Sequence, residues 1–314
     1  MHSNYNLPIK IGTRASELAI AQANQVKKSI LEYNDFISEK DIQIIKINTS
    51  GDKFLNANLS LIGGKGLFTK EIDEMLIKQD IDLAVHSMKD LPAKLPEELQ
   101  VSAVLEREEA TDAFISHKYM NLLHLPQGSI IGTSSIRRKS ILLNHRPDLK
   151  IVSFRGNINT RLRKLKEQNI DGIILATAGL KRVGIPSVIT KKISSDIMTP
   201  AIGQGAIGVV TTRENKAIKN VLTKLNHQET EFCVNLERKF MAELDGSCRT
   251  PIACFAKFFG HEIQIKSCII HPDGSKKIDD NIMVETSDAE SEIDRIVERF
   301  KIEGADIIKF IQNG

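Results

Sequence analysis

At 314 residues the chain is long enough for two domains or three small ones, and at 41% hydrophobic and 26% charged it can bury real cores. Its net charge of +3 is too small to announce a polyanion partner, and the absence of Trp with only three Tyr argues against a surface that stacks single-stranded nucleic acid. The N-terminal residues hold no basic segment followed by an apolar core, and no apolar run reaches the length of a membrane span. The chain therefore reads as cytoplasmic, with neither membrane nor nucleic acid as a partner.

In chain order, residues 9–11 form a short strand that ends in Gly12-Thr13-Arg14-Ala15-Ser16, after which Ala19, Ala23, Val26 and Ile30 keep helical spacing. A strand, a tight turn with hydroxyl caps and a helix make an anion site at a helix N-terminus, with Arg14 beside it. Residues 42–47 are the next strand. Residues 54–66 read as loop and end in three glycines around Lys65, which permits close backbone approach to a ligand; the expectation is that residues 54–64 act as a lid. The phosphate-loop spacing is absent. Residues 68–76 then read as an amphipathic helix with Phe68, Ile72, Met75 and Leu76 on one side.

The stretch 81–92 begins as a strand buried on both faces over residues 81–85 and delivers His86, Ser87, Lys89 and Asp90 to its carboxyl end, where open α/β sheets bind ligands. Another strand covers 101–105. Residues 130–138 then repeat the opening plan: strand, Gly132-Thr133, the hydroxyls of Ser134 and Ser135, Arg137 and Arg138, helix. The shared setting reads as two similar α/β lobes, each offering a helix N-terminus and arginine to a common cleft. Arg155 and Gly156 end the next strand and Arg161 and Arg163 open the helix after it. Arginine there opposes the helix macrodipole, a local mismatch of the kind that marks sites. Residues 173–176 are a buried strand leading to Arg182, and residues 200–206 place Gln204 between two glycines in a segment that crosses back to the strand 207–210.

Beyond about residue 222 the pattern becomes an amphipathic helix over 229–244, a turn-rich loop, alternating strands and a last helix, a small α+β domain. Cys233, Cys254 and Cys268 fall among apolar residues, whereas Cys248 sits in the loop between Gly246 and Arg249, where a neighbouring cation favours thiolate. No Cys-x-x-Cys pair is present, and no metal is expected. The basic residues at strand exits, Arg14, Lys65, Lys89, Arg137, Arg138, Arg155, Arg161 and Arg182, suit a ligand with several carboxylates. Asp90 is the one carboxylate set against them, held ionised and able to stabilise positive charge or pass protons. Two other readings fit parts of this pattern: a two-lobed solute-binding protein for a polycarboxylate, which leaves Cys248 and the third domain without a role, and a cysteine hydrolase, for which no histidine is placed to activate Cys248.

The motifs Gly-Thr-Arg-Ala-Ser, Gly-Gly-Lys-Gly-Leu-Phe, His-Ser-Met-Lys-Asp-Leu-Pro, Gly-Thr-Ser-Ser-Ile-Arg-Arg, Arg-Gly-Asn-Ile-Asn-Thr-Arg-Leu, Ala-Gly-Leu-Lys-Arg, Gly-Gln-Gly-Ala and Leu-Asp-Gly-Ser-Cys follow one another in an order that resembles the porphobilinogen deaminase family. The resemblance implies two periplasmic-binding-protein-like α/β lobes with a smaller α+β C-terminal domain, divided as residues 1–105 with 201–222, 106–200 and 223–314. It implies a monomeric transferase of tetrapyrrole biosynthesis that joins four porphobilinogen molecules head to tail with loss of ammonia and releases linear hydroxymethylbilane by hydrolysis. Its dipyrromethane cofactor would be held by thioether to Cys248, and its catalytic aspartate would be Asp90. Lys89, Ser135, Arg137, Arg138, Arg161, Arg182 and Gln204 match cofactor-binding positions, and Arg14, Ser16, Lys65, Ser87 and Arg155 match substrate-binding positions. The sequence departs from the family at Leu61, where a polar or basic residue is common, and at Ser247, where glycine is common.

Overall fold

The computed structural model describes residues 7–53, 68–244 and 250–313. The expected lid, Lys65, Leu61, Ser247 and Cys248 lie outside the described residues.

Two compact units form, Met1–Glu108 with Ala206–Glu231 and Glu109–Gly205 with Phe232–Gly314. The chain begins with strand β1 (Ile9–Arg14), helix α1 (Glu17–Tyr33), β2 (Ile42–Ile47), the short α2 (Ser50–Lys53), α3 (Lys70–Ile77), β3 (Leu83–Ser87) and β4 (Leu99–Val104). It continues through β5 (Asp112–Ile115), β6 (Ile130–Gly132), α4 (Ile136–His145), β7 (Lys150–Val152), α5 (Ile158–Glu167), β8 (Gly172–Ala176), α6 (Thr177–Arg182) and β9 (Lys191–Ile193). After β10 (Ile207–Thr212) come α7 (Lys216–Leu222), α8 (Gln228–Glu243), β11 (Ile252–Phe259), β12 (Glu262–Ile270), β13 (Lys277–Glu285), α9 (Ala289–Glu303) and α10 (Ala305–Asn313). Among the described residues no helix is long and apolar enough to cross a membrane.

The first unit is built on a five-stranded sheet in the order β2-β1-β3-β10-β4. β1 runs parallel to β2 and β3, while β10 is antiparallel to both β3 and β4. The sheet forms because Ile9, Ile11, Leu83, Val85, Ile207 and Val209 alternate onto a face that α1 covers with Ala23, Val26 and Ile30, all in one core. Ser16 caps α1, its Oγ accepting from Ala19 N at 3.3 Å. The second unit holds a sheet of the same plan, β7-β6-β8-β5-β9, again with a parallel trio and a reversed fourth strand, plus the antiparallel sheet β11-β12-β13. Ala253, Cys268 and Ile270 of that smaller sheet share a core with Phe114, Ile131 and Ile141. The architecture is therefore two lobes, each on a five-stranded mixed sheet, with a smaller sheet-and-helix domain fused to the second.

The strand expected over 81–85 sits two residues later. His86 and Ser87 are inside β3 because their backbones pair with Gly208 and Ile207, and Met88 N continues the ladder to Ala206 O at 3.0 Å. Pairing to β10, rather than the end of the apolar run, sets where the strand stops. Gly208 is required at this point: a Cβ there would lie 2.2 Å from the sulfur of the buried Met88. Lys89 and Asp90 follow at once on a 3₁₀ turn. The helix expected from residue 68 starts at Lys70, which leaves Phe68 and Thr69 outside it.

Candidate active site

In the first unit, Arg14 ends β1 and Ser16 begins α1, while Ser87 and Asp90 leave β3; together with His86, Gln22, Phe68 and Thr69 they line one cleft. The Arg14 guanidinium lies over the Phe68 ring, 4.2 Å from its centroid. Gln22 Nε2 donates to Ser87 Oγ at 2.7 Å. His86 is 5% exposed, and burial together with the nearby Arg14 charge drives its pKa down to about 4, so the imidazole is neutral. Its Nε2 is buried and has no hydrogen-bond partner among the described residues. Asp90 is exposed, Lys89 half-buried.

The second unit holds Arg137, Arg138, Arg155, Arg161 and Arg182. Ser135 caps α4, its Oγ accepting from Arg138 N at 3.4 Å, and so fixes the turn that carries Arg137 and Arg138. Both arginines are buried, at 4% and 6% exposure, and both meet Asp112, which is 0% exposed on β5. Arg138 donates through Nε and Nη2 to Asp112 Oδ1 at 3.0 and 2.7 Å, and Arg137 Nη2 lies 2.8 Å from Oδ2. Arg137 Nη1 donates to Thr199 O at 2.6 Å and Arg138 Nη1 to Ile174 O at 2.9 Å. Gln204 Nε2 donates to Ala110 O at 2.6 Å and to Asp112 Oδ1 at 3.1 Å. Burial pushes the Asp112 carboxyl up, but the two guanidiniums and the Gln204 amide outweigh it and hold the pKa at about 2.

Arg161 Nε donates to Gly156 O at 2.8 Å, and Arg182 Nη2 to Gly205 O at 2.7 Å. Burial, then the like charges of Arg138 and Arg155, lower the Arg161 pKa to about 10. Three guanidiniums thus sense one another, and among the described residues neither Arg155 nor Arg161 is ion-paired to a carboxylate. Arg163, by contrast, pairs with Glu167 at 3.0 Å on the exposed side of α5, an ordinary solvated helix charge. Arg137 Nε is a buried donor with no acceptor among the described residues. Among these same residues no group of His, Cys, Asp and Glu gathers that could hold a metal ion.

Asp90 was expected to be the one carboxylate among the cations, and Asp112 corrects that. Its neighbours Glu108, Glu109 and Thr111 disguise it as part of a polar loop, and only the return of the chain at α4 shows what it holds. Gln22 was also missed, though a signal existed: it lies on the same helical face as Ala19, Ala23 and Val26, and is 3% exposed.

Residues 9–220 match the family model described as porphobilinogen deaminase, dipyromethane cofactor binding domain, and residues 231–298 match the porphobilinogen deaminase C-terminal domain. The chain belongs to the porphobilinogen deaminase family. It is similar to the porphobilinogen deaminase of Syntrophomonas wolfei, 46% identical over 86% of this chain and 87% of that one. It is likewise similar to the chloroplastic porphobilinogen deaminase of Pisum sativum, 47% identical over 86% of this chain and 74% of that one. Among solved structures it is similar to protein PG110 from Staphylococcus aureus, at 13% identity and a TM-score of 0.41 over 91% of this chain and 99% of that one. It is also similar to the methionine binding protein MetQ, at 16% identity and a TM-score of 0.43 over 74% of this chain and 95% of that one.

A dipyrromethane carries carboxylate arms, and the porphobilinogen deaminase residues seen here fit them. Among the described residues no carboxylate pairs with Arg155 or Arg161, burial and then the charges of Arg138 and Arg155 lower the Arg161 pKa, and Arg137 keeps a buried N–H without an acceptor.

Proposed function

We propose that the chain is a hydroxymethylbilane synthase that joins four porphobilinogen molecules head to tail, releasing one ammonia for each, and then frees the linear product by hydrolysis. Bound by thioether to Cys248, the dipyrromethane supplies the pyrrole carbon on which the chain is begun. Arg137, Arg138, Arg161 and Arg182 hold its carboxylates, with Lys89, Ser135 and Gln204 completing that surface. Arg14, Ser16, Ser87, Arg155 and Lys65 take the acetate and propionate of the incoming porphobilinogen. The division into residues 1–105 with 201–222, 106–200 and 223–314, and a monomeric state, belong to the same proposal.

Loss of ammonia from porphobilinogen leaves positive charge on its ring. Asp90, a carboxylate at the exit of β3, stabilises that charge at the pyrrole N–H and carries the proton that must leave when the new carbon–carbon bond is made. The neutral His86 adds no second cation beside Arg14, so the field there favours the substrate carboxylates without repelling the developing ring charge.

The observation that carries this reading is the excess of guanidinium charge on Arg137, Arg138, Arg155 and Arg161, to which, among the described residues, Asp112 is the one carboxylate ion-paired. The test is the intact mass of the purified protein, with peptide mapping around Cys248, after incubation with porphobilinogen. A gain of two deaminated porphobilinogen units confined to the Cys248 peptide, with ammonia released, is expected. An unmodified Cys248 after that incubation overturns the reading.

A further inference from the structure

The two five-stranded sheets match strand for strand, and register carries the match to single residues. Gly12 faces Ala84 across β1 and β3, and Gly132 faces Ile173 across β6 and β8. Three positions further along β3 and β8 stand Ser87 and Ala176, whose partners on the reversed strand are Ile207 and Asp112. Where one sheet has a buried isoleucine, its sister has a buried carboxylate; both are 0% exposed. The sister sheet folds without a charge at this place, so the architecture does not demand one. A buried carboxylate is costly unless its charge and lone pairs are answered, and an apolar residue of similar volume commonly serves stability as well or better.

What the carboxylate does is hold two arginines. Arg137 and Arg138 stand in the first turn of α4, which has no acidic residue of its own, so the macrodipole opposes them and each long side chain would otherwise lead its charge out to solvent. Asp112 instead gathers them inside. Oδ1 accepts from Nε and Nη2 of Arg138 and from Gln204 Nε2, while Oδ2, which accepts no hydrogen bond among the described residues, lies 2.8 Å from Nη2 of Arg137 as an ion pair. Backbone carbonyls of Thr199 and Ile174 fix the remaining sides. Arg137 Nε is left as a buried donor without a protein acceptor among the described residues, and two guanidiniums for one carboxylate leave the cluster cationic.

We infer that Asp112 is a positioning residue for the deaminase reaction: it presets the Arg137–Arg138 pair, so that the carboxylate arms of the pyrrole chain meet fixed donors rather than two mobile side chains. Pre-organisation of this kind removes an ordering cost at each binding event. Asp112 itself touches neither substrate nor reacting atoms. The inference rests on the deaminase reading.

The test uses the full chain produced in cells that make no porphobilinogen, so that Cys248 starts unmodified, and compares wild type with D112N. Circular dichroism reports the fold, mass reports the rate at which the Cys248 peptide gains its two units, and steady-state kinetics report KM and kcat of the loaded fraction. Folded D112N is expected to load at least tenfold more slowly, because Arg137 and Arg138 hold the dipyrromethane carboxylates, whereas the KM for porphobilinogen in the loaded fraction, which rests on the other basic residues, moves by less than about threefold, as does kcat. A folded D112N that loads within twofold of wild type overturns the inference, including the case in which it only melts lower. If D112N does not fold, Asp112→Glu takes its place, since it keeps the charge but moves the carboxylate by one methylene relative to both guanidiniums. Severalfold slower loading is expected there, and wild-type loading overturns the inference. Wild type that gains no mass at Cys248 would instead be a failure of the deaminase reading.

Discussion

The Arg14 guanidinium lies 4.2 Å from the centroid of the Phe68 ring, so the last residue of β1 is seated on a side chain just ahead of α3. A cation over an aromatic face is worth about 0.5 to 2 kcal/mol, and the contact also restricts where the guanidinium points. Phe68→Leu keeps the apolar bulk and removes the ring. Porphobilinogen KM should rise by about twofold to thirtyfold, the same energy expressed as binding, while kcat stays near wild type because the interaction is equal in ground and transition states. Unchanged KM would assign the ring to packing alone.

Asp90 is exposed on the 3₁₀ turn after β3, and a change there touches no core. Asp90→Ala should therefore melt like wild type, within about 0.5 kcal/mol, while losing the hundredfold to ten-thousandfold that a positioned acid–base group contributes. Single-turnover ammonia release reads this directly. A variant within tenfold of wild type would take Asp90 out of the mechanism.

Two buried groups in the first unit give acid stability opposite signs. His86 has a pKa near 4 in the fold, through burial and Arg14, against its usual 6.5. Below pH 6.5 the unfolded chain takes up a proton that the fold refuses, so stability falls between pH 6.5 and 4, by up to about 3 kcal/mol. Asp73, on the buried side of α3, has its carboxyl raised by burial to about 6 from 3.8. The fold keeps that proton longer, so its contribution is fully present below pH 3.8 and is lost as the pH rises through 6. Thermal melts at pH 7 and pH 5 separate them. His86→Gln should lose less stability than wild type on acidification, and Asp73→Asn should be more stable than wild type at pH 7 and lose more on acidification. Parallel pH profiles for all three proteins would refute both assignments.

The paired lobes were legible because their signals are local. Ile-Gly-Thr, a capping serine and arginine recur before α1 and α4, and Ser16 and Ser135 cap those helices as their positions imply. The buried Cys233, Cys254 and Cys268 were legible for the same reason, since each stands in an apolar run. What Arg137 and Arg138 bind was not, because their acceptors are Asp112, Thr199 and Ile174, distant along the chain and brought to α4 by sheet order. Nor was the role of Phe68, which matches the apolar face of α3 in spacing yet lies outside the helix and faces Arg14. Periodicity reports which face is apolar; it does not report which strand will lie beside it.

Gly274 offers a test of how the small domain is fastened to the second lobe. It sits in the turn between β12 and β13 with φ at +81°, and a Cβ there would lie 2.6 Å from Asn144 N and 2.7 Å from the backbone of Leu143, at the end of α4. The turn is tied to the same helix by Asn144 Nδ2, which donates to Gly274 O at 2.9 Å, and by Ser140 Oγ, whose one O–H is shared between Ile136 O at 2.9 Å and Pro272 O at 3.2 Å. In Gly274→Ala the left-handed backbone costs about 1 to 2 kcal/mol, and because the clash is with backbone the turn must lift from α4, adding about 1 to 3 kcal/mol. The melting temperature should fall by on the order of 5 °C or more, and protease should cut between α4 and β12 sooner than in wild type. Ser140→Ala, which gives up hydrogen bonds without forcing the backbone, should cost only about 1 kcal/mol. If Gly274→Ala melted no lower than Ser140→Ala, close approach of the turn to α4 would not be what fastens the two parts.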